Sequence, residues 1–302
     1  MEKIDIIKSI TERTGGDLYL GVVGAVRTGK STFIKKFIEN LVVPNIDDEY
    51  ERKRCLDEIP QSAQGKMIMT TEPKFIPEDA AEVSADDSMK FRVRLIDCVG
   101  YIVPSSLGYI EGEVPRMVKT PWFEEEIPFN MAAEIGTRKV ITEHSTIGLV
   151  VTTDGSISEI PRNEYAEAEE RVINELKEIN KPFIILLNCK NPDSPSAKAL
   201  ASKMTSDYKS PVIPVNCLDL TQNEISEILS QILFEFPLKE VKIDLPGWIT
   251  TLKKNHWLRS GIFGKIATEA KMLKRVRDIY SFSSAVSENE NISLSVVDNM
   301  NL

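Results

Sequence analysis

Five short apolar runs recur along the first two thirds of the chain, and most are separated by segments with helical periodicity. Runs of consecutive apolar residues are typical of parallel strands that are buried on both faces of a sheet. Their alternation with helices predicts an α/β fold in which right-handed crossovers join neighbouring strands. The predicted strands are Leu18–Val23, Phe91–Ile96, Ile147–Val151, Phe183–Leu187 and Val212–Val215.

Two other segments carry apolar residues at the spacing of one helix face. They predict amphipathic helices at Asn163–Ile179 and Thr221–Phe236. In an open sheet of this kind, ligands bind at the carboxyl ends of the strands, so functional residues are expected in the loops that follow them.

One part of the chain breaks the alternation of strands and helices. Glu72–Pro77 and Met89–Ile96 both have strand character, and only the acidic stretch Glu78–Ser88 lies between them. We therefore expect an antiparallel hairpin with Glu78–Ser88 as its loop. Pro73 and Pro77 cannot donate hydrogen bonds, which places the first strand at the sheet edge.

The pattern changes after Pro237, which ends the last helix of the main domain. Glu240–Leu245 predicts a strand, while Trp248–Leu258 and Lys265–Tyr280 predict helices, and 281–302 is polar without a clear period. The sequence therefore predicts an N-terminal segment at 1–17, a main domain at 18–238 and, at 239–302, the start of a second α/β domain that is truncated.

Composition narrows the functional classes. The 302 residues are 42% hydrophobic and 27% charged, as in ordinary soluble domains, and the net charge of −9 disfavours nucleic acid and anionic lipid. No apolar run is long enough for a transmembrane segment, and the acidic start MEKIDIIKSI lacks a signal core. We therefore expect a cytoplasmic protein with no nucleic-acid partner.

The cysteines and histidines give no metal or disulfide pattern. No C-x-x-C pair occurs, and the two histidines, His144 and His256, are far apart. We interpret the cysteines as reduced thiols, three of them at strand ends. They are Cys55, Cys98, Cys189 and Cys217.

A phosphate-binding motif joins the first predicted strand to a helical pattern. Gly24–Ser31 fits G-x-x-x-x-G-K-[ST], and the strand and helix around it are the context that this motif requires. The loop and the helix start supply N–H groups for phosphate, Lys30 can reach the β- and γ-phosphates, and Ser31 can bind Mg²⁺. The predicted nucleotide contacts are Gly24, Ala25, Val26, Arg27, Thr28, Gly29, Lys30, Ser31 and Thr32.

Two further segments complete the predicted phosphate site. Asp97 ends a buried strand and can hold Mg²⁺ through water, and Gly100 can offer its N–H to a γ-phosphate. Thr70 and Thr71 precede the edge strand, where Thr71 would join Ser31 and Asp97 as a metal ligand in a nucleotide-sensing switch at 61–71. The alternative is that both threonines simply begin a β-strand.

The segment that would recognise the base departs from the guanine-binding motif. Asn188-Cys189-Lys190-Asn191 follows a strand where N-K-x-D would stand, but the lysine and the acid of that motif are missing. Asn188 is kept as a predicted nucleotide contact. The main reason to prefer guanine is absent.

Two residues bear on the mechanism of hydrolysis. Tyr101 stands where many switch GTPases have a water-orienting glutamine, and Arg27 lies inside the phosphate loop itself. Arg27 is interpreted either as a catalytic arginine or as a solvated residue that helps phosphate affinity. The long segment Val99–Phe129 is interpreted as a second switch or assembly surface, or as simple packing over the core.

Long strings of this sequence resemble the stage IV sporulation protein A family, coat-morphogenetic ATPases of endospore-forming bacteria. The resemblance extends from Met1 to about residues 256–259. It rests on MEKIDIIKSITERTGGDLYLGVVGAVRTGKSTFIKKF, MTTEPKFIP, LIDCVGYIVP, TPWFEEEIPF, AAEIGTRKVI, EHSTIGLVVTTDGSI and KKNHWLR.

The resemblance implies a fold similar to the translation-factor-type GTPases, a P-loop class with a mostly parallel sheet, but with ATP as the substrate. It implies Mg²⁺-dependent hydrolysis of ATP to ADP that drives self-assembly of the spore coat basement layer. Lys30 would then be the phosphate-loop lysine, Asp97 the acid on the Mg²⁺ side, and Thr70 and Thr71 the sensor threonines. The loop also resembles that of guanylate-binding proteins, in which the loop arginine acts as an internal finger.

The resemblance also implies partners and a location. The partners would be copies of the protein itself, other spore coat morphogenetic proteins, and a small membrane-surface anchoring peptide. The location would be the mother-cell cytoplasm, at the outer forespore membrane surface. Two rival functions stay open. One is a regulatory GTPase switch, in which Asp193 contacts guanine if its loop bends, and the other is a nucleotide-binding scaffold without turnover.

Overall fold

The computed structural model describes residues 14–60, 73–86, 89–111, 114–238 and 240–287. The chain divides into two compact units between Ile232 and Leu233. In chain order the strands and α-helices are β1 (Asp17–Val23), α1 (Lys30–Phe37), α2 (Glu49–Asp57), β2 (Lys74–Asp86), β3 (Met89–Asp97), β4 (Ile110–Glu111), β5 (Val114–Pro115), β6 (Met117–Thr120), β7 (Phe123–Pro128), α3 (Phe129–Lys139), β8 (Ile147–Thr153), α4 (Ala166–Glu178), β9 (Phe183–Asn188), α5 (Pro195–Tyr208), β10 (Val212–Val215), α6 (Gln222–Phe234), α7 (Gly247–Thr251), α8 (Trp257–Ala270) and α9 (Asp278–Ser287).

Six strands of the described chain form one sheet in the order β10-β9-β8-β1-β3-β2. All neighbouring pairs are parallel except β2 with β3, which is antiparallel at the edge. The five predicted parallel strands and the antiparallel edge are confirmed. Every position of β8 and β9 is buried, which is why these strands are apolar without alternation.

The two predicted amphipathic helices are also present. The first is a short 3₁₀ turn at Arg162–Tyr165 followed by α4, and the second is α6. The N-terminus of α6 is closed by a capping box, in which the Thr221 amide donates to Glu224 Oε2 at 2.7 Å and the Glu224 amide donates to Thr221 Oγ1 at 3.3 Å. Two π-helical turns, Ile38–Val42 and Val140–His144, continue α1 and α3.

The predicted hairpin loop is wrong in its extent. We expected Glu78–Ser88 to be a loop, but β2 continues as a strand to Asp86. The pairing with β3 is irregular between Ile76 and Ala81, the interval that contains Pro77, and regular pairing continues from Ala81. A proline therefore interrupts the hydrogen bonding of an edge strand without ending the strand.

The long segment after β3 contains regular structure. β4 pairs with β5 and β6 pairs with β7, each as an antiparallel hairpin. Val118 and Ile127 of the second hairpin are buried, so part of the segment packs on the core. Exposed apolar side chains also occur in it, namely Leu107, Ile110, Val114, Met117 and Phe123.

The second unit differs from its prediction. Its described residues contain helices and no β-strand, and Glu240–Leu245, expected to be a strand, has no regular structure. The helix expected at Trp248–Leu258 is broken into α7 and the start of α8. The helix expected at Lys265–Tyr280 is also wrong, because α8 ends at Ala270 and α9 begins at Asp278, extending into the region expected to lack structure. The α/β character expected of this part is therefore absent from its described residues.

Candidate phosphate-binding site

The phosphate loop lies at the carboxyl end of β1, between β1 and the N-terminus of α1. Gly29 caps the helix in a left-handed conformation with φ of 97°, and no side chain caps the helix start. A Cβ at Gly29 would lie 2.2 Å from Asn188 Nδ2, so only glycine fits here. The helix start, with its positive dipole end and no side-chain cap, can thus receive an anion.

Lys30 is held inside the loop. Its side chain is only 5% exposed, and Nζ donates to the Ala25 carbonyl oxygen at 2.6 Å. Burial lowers the pKa of Lys30, and the nearby Cys98 and Asp97 act in the opposite direction. The amine is thereby positioned next to the loop backbone, where it can serve an anion bound in the loop.

Ser31 and Asp97 meet across the site. The Ser31 hydroxyl donates to Asp97 Oδ2 at 2.6 Å, and Asp97 is 4% exposed. Burial raises the pKa of Asp97, although the bond from Ser31 and the charge of Lys30 lower it. The buried Asp97 Oδ1 has no partner of good hydrogen-bond geometry among the described residues, although the Cys98 amide lies near enough to the carboxylate to lower its pKa.

These groups fit a divalent cation. The Ser31 hydroxyl and the Asp97 carboxylate supply oxygen ligands of the kind that Mg²⁺ prefers, and Mg²⁺ in nucleotide sites completes its shell with water and phosphate. The described part of the chain contains no cluster of three or more His, Cys, Asp or Glu that could hold a metal by itself. The arrangement therefore favours a cation bound together with a phosphate.

The Asp97–Gly100 segment is attached to the phosphate loop by its backbone. The Tyr101 amide donates to the Gly24 carbonyl at 3.2 Å, and the Val26 amide donates to the Tyr101 carbonyl at 2.9 Å. Gly100 has φ of 90°, and a Cβ there would lie 2.6 Å from Lys30 Nζ. The structure thus brings Gly100 next to the lysine, as the sequence-based site requires.

Asn188 connects three segments of the site. Its Nδ2 donates to the Thr28 carbonyl at 2.9 Å, and its Oδ1 accepts from the Cys217 amide at 3.1 Å. It therefore ties the end of β9 to the phosphate loop and to the turn after β10. A direct contact between Asn188 and a nucleotide stays a prediction. Asp193, the rival guanine contact, pairs with Lys198 at 2.8 Å on the surface.

Arg27 lies within the phosphate loop, three residues before Lys30. It is half-buried and adopts a left-handed conformation with φ of 65°, which is uncommon for a residue with a side chain. Arg27 lies close enough to Lys30 for its positive charge to act to lower the pKa of that lysine. Burial raises the pKa of Tyr165, and the same charge acts to lower it. Thr70 and Thr71 lie outside the described residues.

Sequence reasoning missed the segment after β8. Ser156 Oγ accepts from the Lys190 amide at 3.0 Å, and Ile157 Cδ1 would lie 3.9 Å from a Cβ at Gly29. This segment therefore flanks the phosphate loop beside Asn188. Its position directly after a buried parallel strand is the signal that could have indicated it.

The sequence matches two family models. Residues 1–237 match the family model described as "Stage IV sporulation protein A, ATPase domain", and residues 238–302 match "Stage IV sporulation protein A, middle domain". A solved structure of an SsGBP variant gives a TM-score of 0.39 at 15% identity over 76% of this chain and 63% of that chain, a likeness too weak to support an argument.

Three curated relatives share the description "Stage IV sporulation protein A". The protein from Bacillus anthracis is 54% identical over 92% of this chain and 57% of its own length. The Bacillus subtilis (strain 168) protein is 53% identical over 96% of this chain and 59% of its own length. The Clostridioides difficile (strain 630) protein is 48% identical over 99% of this chain and 61% of its own length.

The chain thus spans about three fifths of the length of the curated relatives that it matches. Its mixed α/β architecture with a mostly parallel central sheet fits a P-loop NTPase-like fold. On the extent of both matches, the chain belongs to the stage IV sporulation protein A family and includes that family's ATPase domain.

Proposed function

We propose that this chain binds ATP with Mg²⁺ in the loop Gly24–Thr32 and hydrolyses it to ADP and phosphate. The observation that supports this most is the meeting of Lys30, Ser31 and Asp97, with a buried Asp97 oxygen that no described residue satisfies. A family model whose description names an ATPase domain matches the same residues. We also propose that residues 18–238 form this domain, preceded by a segment at 1–17 and followed by a second domain from 239.

The proposed roles divide between binding and chemistry. Lys30 neutralises the β- and γ-phosphates, and Gly100 offers its N–H to the γ-phosphate. Ser31, Asp97 and Thr71 hold Mg²⁺, which when bound neutralises charge that develops on the phosphate oxygens. Thr70 and Thr71, outside the described residues, are proposed to sense the γ-phosphate.

Arg27 is proposed as the catalytic arginine. It lies within the loop and its charge reaches Lys30, so only a side-chain movement would bring its guanidinium to the phosphates. An arginine in this role can raise the hydrolysis rate about 10³- to 10⁵-fold. Tyr101 is buried in the core, so a water-orienting group must come from elsewhere.

The domain is proposed to be of the translation-factor GTPase class, with ATP in place of GTP. In its support, the strand that ends in Asp97 lies beside β1, and its other neighbour is the antiparallel β2. Asn188 is present, but the positions that would contact guanine are not occupied by lysine and aspartate.

In the whole protein, hydrolysis is proposed to drive self-assembly of the spore coat basement layer in the mother cell, at the outer forespore membrane surface. The proposed partners are further copies of the protein, other coat proteins and a small anchoring peptide. The family relationship supports this role. The apolar side chains exposed after β3 offer surface that could be covered in an assembly.

One panel of variants tests the function. In the full-length protein, Lys30→Ala should weaken ATP binding about 10- to 100-fold, because charge-assisted contacts to phosphate are lost. Arg27→Ala should lower kcat about 10³-fold with ATP affinity within about threefold, and Arg27→Lys should restore little, since lysine lacks the planar fork. Titration calorimetry, phosphate release and sedimentation with ATP are the measurements.

The matched control is Lys36→Ala, which removes a lysine from α1 that pairs at the surface with Glu39 at 3.2 Å. It should bind and hydrolyse ATP like the parent. Equal competition by GTP would support the regulatory GTPase instead. Tight ATP binding without phosphate release would support the scaffold, and ATP affinity unchanged in Lys30→Ala would refute the site.

A further inference from the structure

Tyr101 is anchored far more elaborately than a core side chain requires. Its hydroxyl donates to Glu175 Oε1 at 2.6 Å, and the guanidinium of Arg171 lies 4.4 Å from the centre of its ring. Arg171 itself pairs with Glu134 at 2.7 Å and with Glu175 at 3.5 Å. The ring is 3% exposed, so these contacts form at the boundary between the core and the surface of α4.

The backbone of the same residue holds the phosphate loop. Tyr101 donates to Gly24 and accepts from Val26, so it forms a short parallel bridge with the loop. The residue directly before it is Gly100, whose backbone lies against the Lys30 amine. One residue thus joins α4 to the point where the D-x-x-G segment meets the lysine.

Glycine makes such an anchor necessary. A glycine peptide has many accessible orientations, and Gly100 adopts a left-handed one, at a place where a Cβ would lie 2.3 Å from the Gly24 carbonyl oxygen and 2.6 Å from Lys30 Nζ. Fixing the next residue through both its backbone and its side chain removes most of the alternatives. The ring fills the core, and the hydroxyl with its charged partners adds to the restraint that the backbone bonds supply.

We propose that Tyr101 is a positioning residue, which through its bond to Glu175 and its contact with Arg171 holds the Gly100 peptide in place for a γ-phosphate. The proposal rests on the proposed function for the identity of the nucleotide. It says that the anchor matters for a triphosphate and not for a diphosphate. A hydroxyl that was merely satisfied by a nearby acid would make no such distinction.

Tyr101→Phe is the primary test, since it keeps the ring and removes only the hydroxyl. The affinity for ADP should stay within about twofold, while the affinity for a non-hydrolysable ATP analogue should fall about tenfold, because the γ-phosphate must then order the Gly100 peptide without the help of a hydrogen bond to a charged group. Glu175→Gln keeps an acceptor oxygen but no charge, so it should lose less. Amide hydrogen exchange at Val26 and Tyr101 should accelerate in both variants.

Tyr109→Phe is the matched control, because its hydroxyl lies in the same segment and donates to the Pro104 carbonyl at 3.3 Å near the surface. It should leave both affinities unchanged. Equal weakening of ADP and the analogue in Tyr101→Phe, or no change in either, would overturn the proposal. If Tyr101→Phe fails to fold, the variants Glu175→Gln and Arg171→Lys test the proposal instead. The measured quantity is again the ratio of the affinity for the ATP analogue to the affinity for ADP.

The two hypotheses fail in different ways. A parent protein that binds both nucleotides but releases no phosphate would refute the ATPase, and the ratio of affinities would still judge the role of Tyr101. A parent protein that binds neither nucleotide would refute both.

Discussion

At the scale of single residues, a buried acid in the candidate site lowers the stability of the folded protein. Asp97 is a carboxylate surrounded by protein, with one oxygen bonded to Ser31 and the other unsatisfied by the described residues. A buried carboxylate is costly to ionise, which is why its pKa is raised. The same residue is the proposed Mg²⁺ ligand, so the groups that bind the cation should destabilise the protein when no cation is bound.

Asp97→Asn should therefore unfold at a higher temperature than the parent when nucleotide and Mg²⁺ are absent. Because the folded-state pKa lies above the ordinary carboxyl value, folding of the parent takes up a proton, and its stability falls as pH rises through the interval between the two pKa values. The difference in unfolding temperature between Asp97→Asn and the parent should grow from about pH 4 upward and then become constant. Thermal unfolding of both proteins across pH measures this.

The control for this experiment is Asp207→Asn, an exposed aspartate on α5. It should leave the unfolding temperature within about 1 °C of the parent at every pH, as is usual for a surface change. In addition, Mg²⁺ should tighten ATP binding in the parent and in Asp207→Asn, but much less in Asp97→Asn. A variant Asp97→Asn that is less stable than the parent at neutral pH would contradict the argument.

Residues of the site differ in how far the sequence could indicate them. The phosphate loop and the D-x-x-G segment are local patterns, so Lys30, Ser31, Asp97 and Gly100 are predictable from the sequence alone. Tyr101 and Glu175 are 74 positions apart, and they meet only because α4 packs across the sheet in one particular register. No local pattern encodes that contact.

At the scale of elements, buried strands were predictable and element ends were not. β8 and β9 are mostly apolar because both of their faces are covered. A strand in that position is apolar whichever strands lie beside it, so the pattern can be recognised in the sequence. The end of β2 depended on whether a proline stops an edge strand, which is decided by the pairing with β3. The break between α7 and α8 likewise has no strong Gly or Pro signal at the point where it falls.

Close packing between helices and sheet rests on a pair of glycines. Gly21 of β1 and Gly148 of β8 are register partners. A Cβ at Gly21 would lie 2.7 Å from Ser145 Cβ, and a Cβ at Gly148 would lie 2.7 Å from Leu176 Cδ2. At both positions, therefore, the neighbouring segment lies too close to the sheet for a side chain.

Alanine at either glycine should reduce the free energy of unfolding by about 1–3 kcal/mol through overpacking. Gly21→Ala should be the worse of the two, because Ser145 Cβ is fixed to the backbone while the end of Leu176 can move. Chemical denaturation of the purified variants measures the difference.

Gly264→Ala provides the opposite case within α8. A Cβ there meets nothing within 4 Å, so the variant should gain about 0.5–1 kcal/mol from the better helix propensity of alanine. Equal effects of all three substitutions would show that space at the sheet does not govern these positions.

At the scale of the whole molecule, the chain forms two units. In the second unit, a buried acid joins its first residues to the segment before α9. The Glu235 carboxylate is 0% exposed; it pairs with Arg277 at 2.7 Å and also contacts Arg275. Burial raises its pKa and the two arginines oppose this. Backbone bonds from Val276 to Phe236 and from Arg277 to Phe234 run beside the ion pairs.

Glu235→Ala should destabilise the second unit by about 1.5–3 kcal/mol, because both arginines lose a hydrogen-bonded acid but are partly exposed to water. Hydrogen exchange at the Val276 and Arg277 amides should accelerate by the corresponding factor. The control is Glu269→Ala, which breaks a more exposed pair with Lys265 at 2.9 Å and should cost less than about 0.5 kcal/mol. Similar exchange rates in the two variants would mean that the buried triad does not hold the unit together.

Asn188 has a consequence for how nucleotide preference can change. Its Nδ2 and Oδ1 atoms are both hydrogen-bonded within the protein, to Thr28 and Cys217. Replacing Asn188 would therefore weaken the attachment of the phosphate loop as well as any contact with the base. Of the three positions that follow, Lys190 and Asn191 are exposed, whereas Cys189 is buried and its amide donates to the Val215 carbonyl at 2.9 Å. Substitutions that alter base preference are therefore expected to be tolerated at the exposed positions 190 and 191, and not at Asn188 or the buried Cys189.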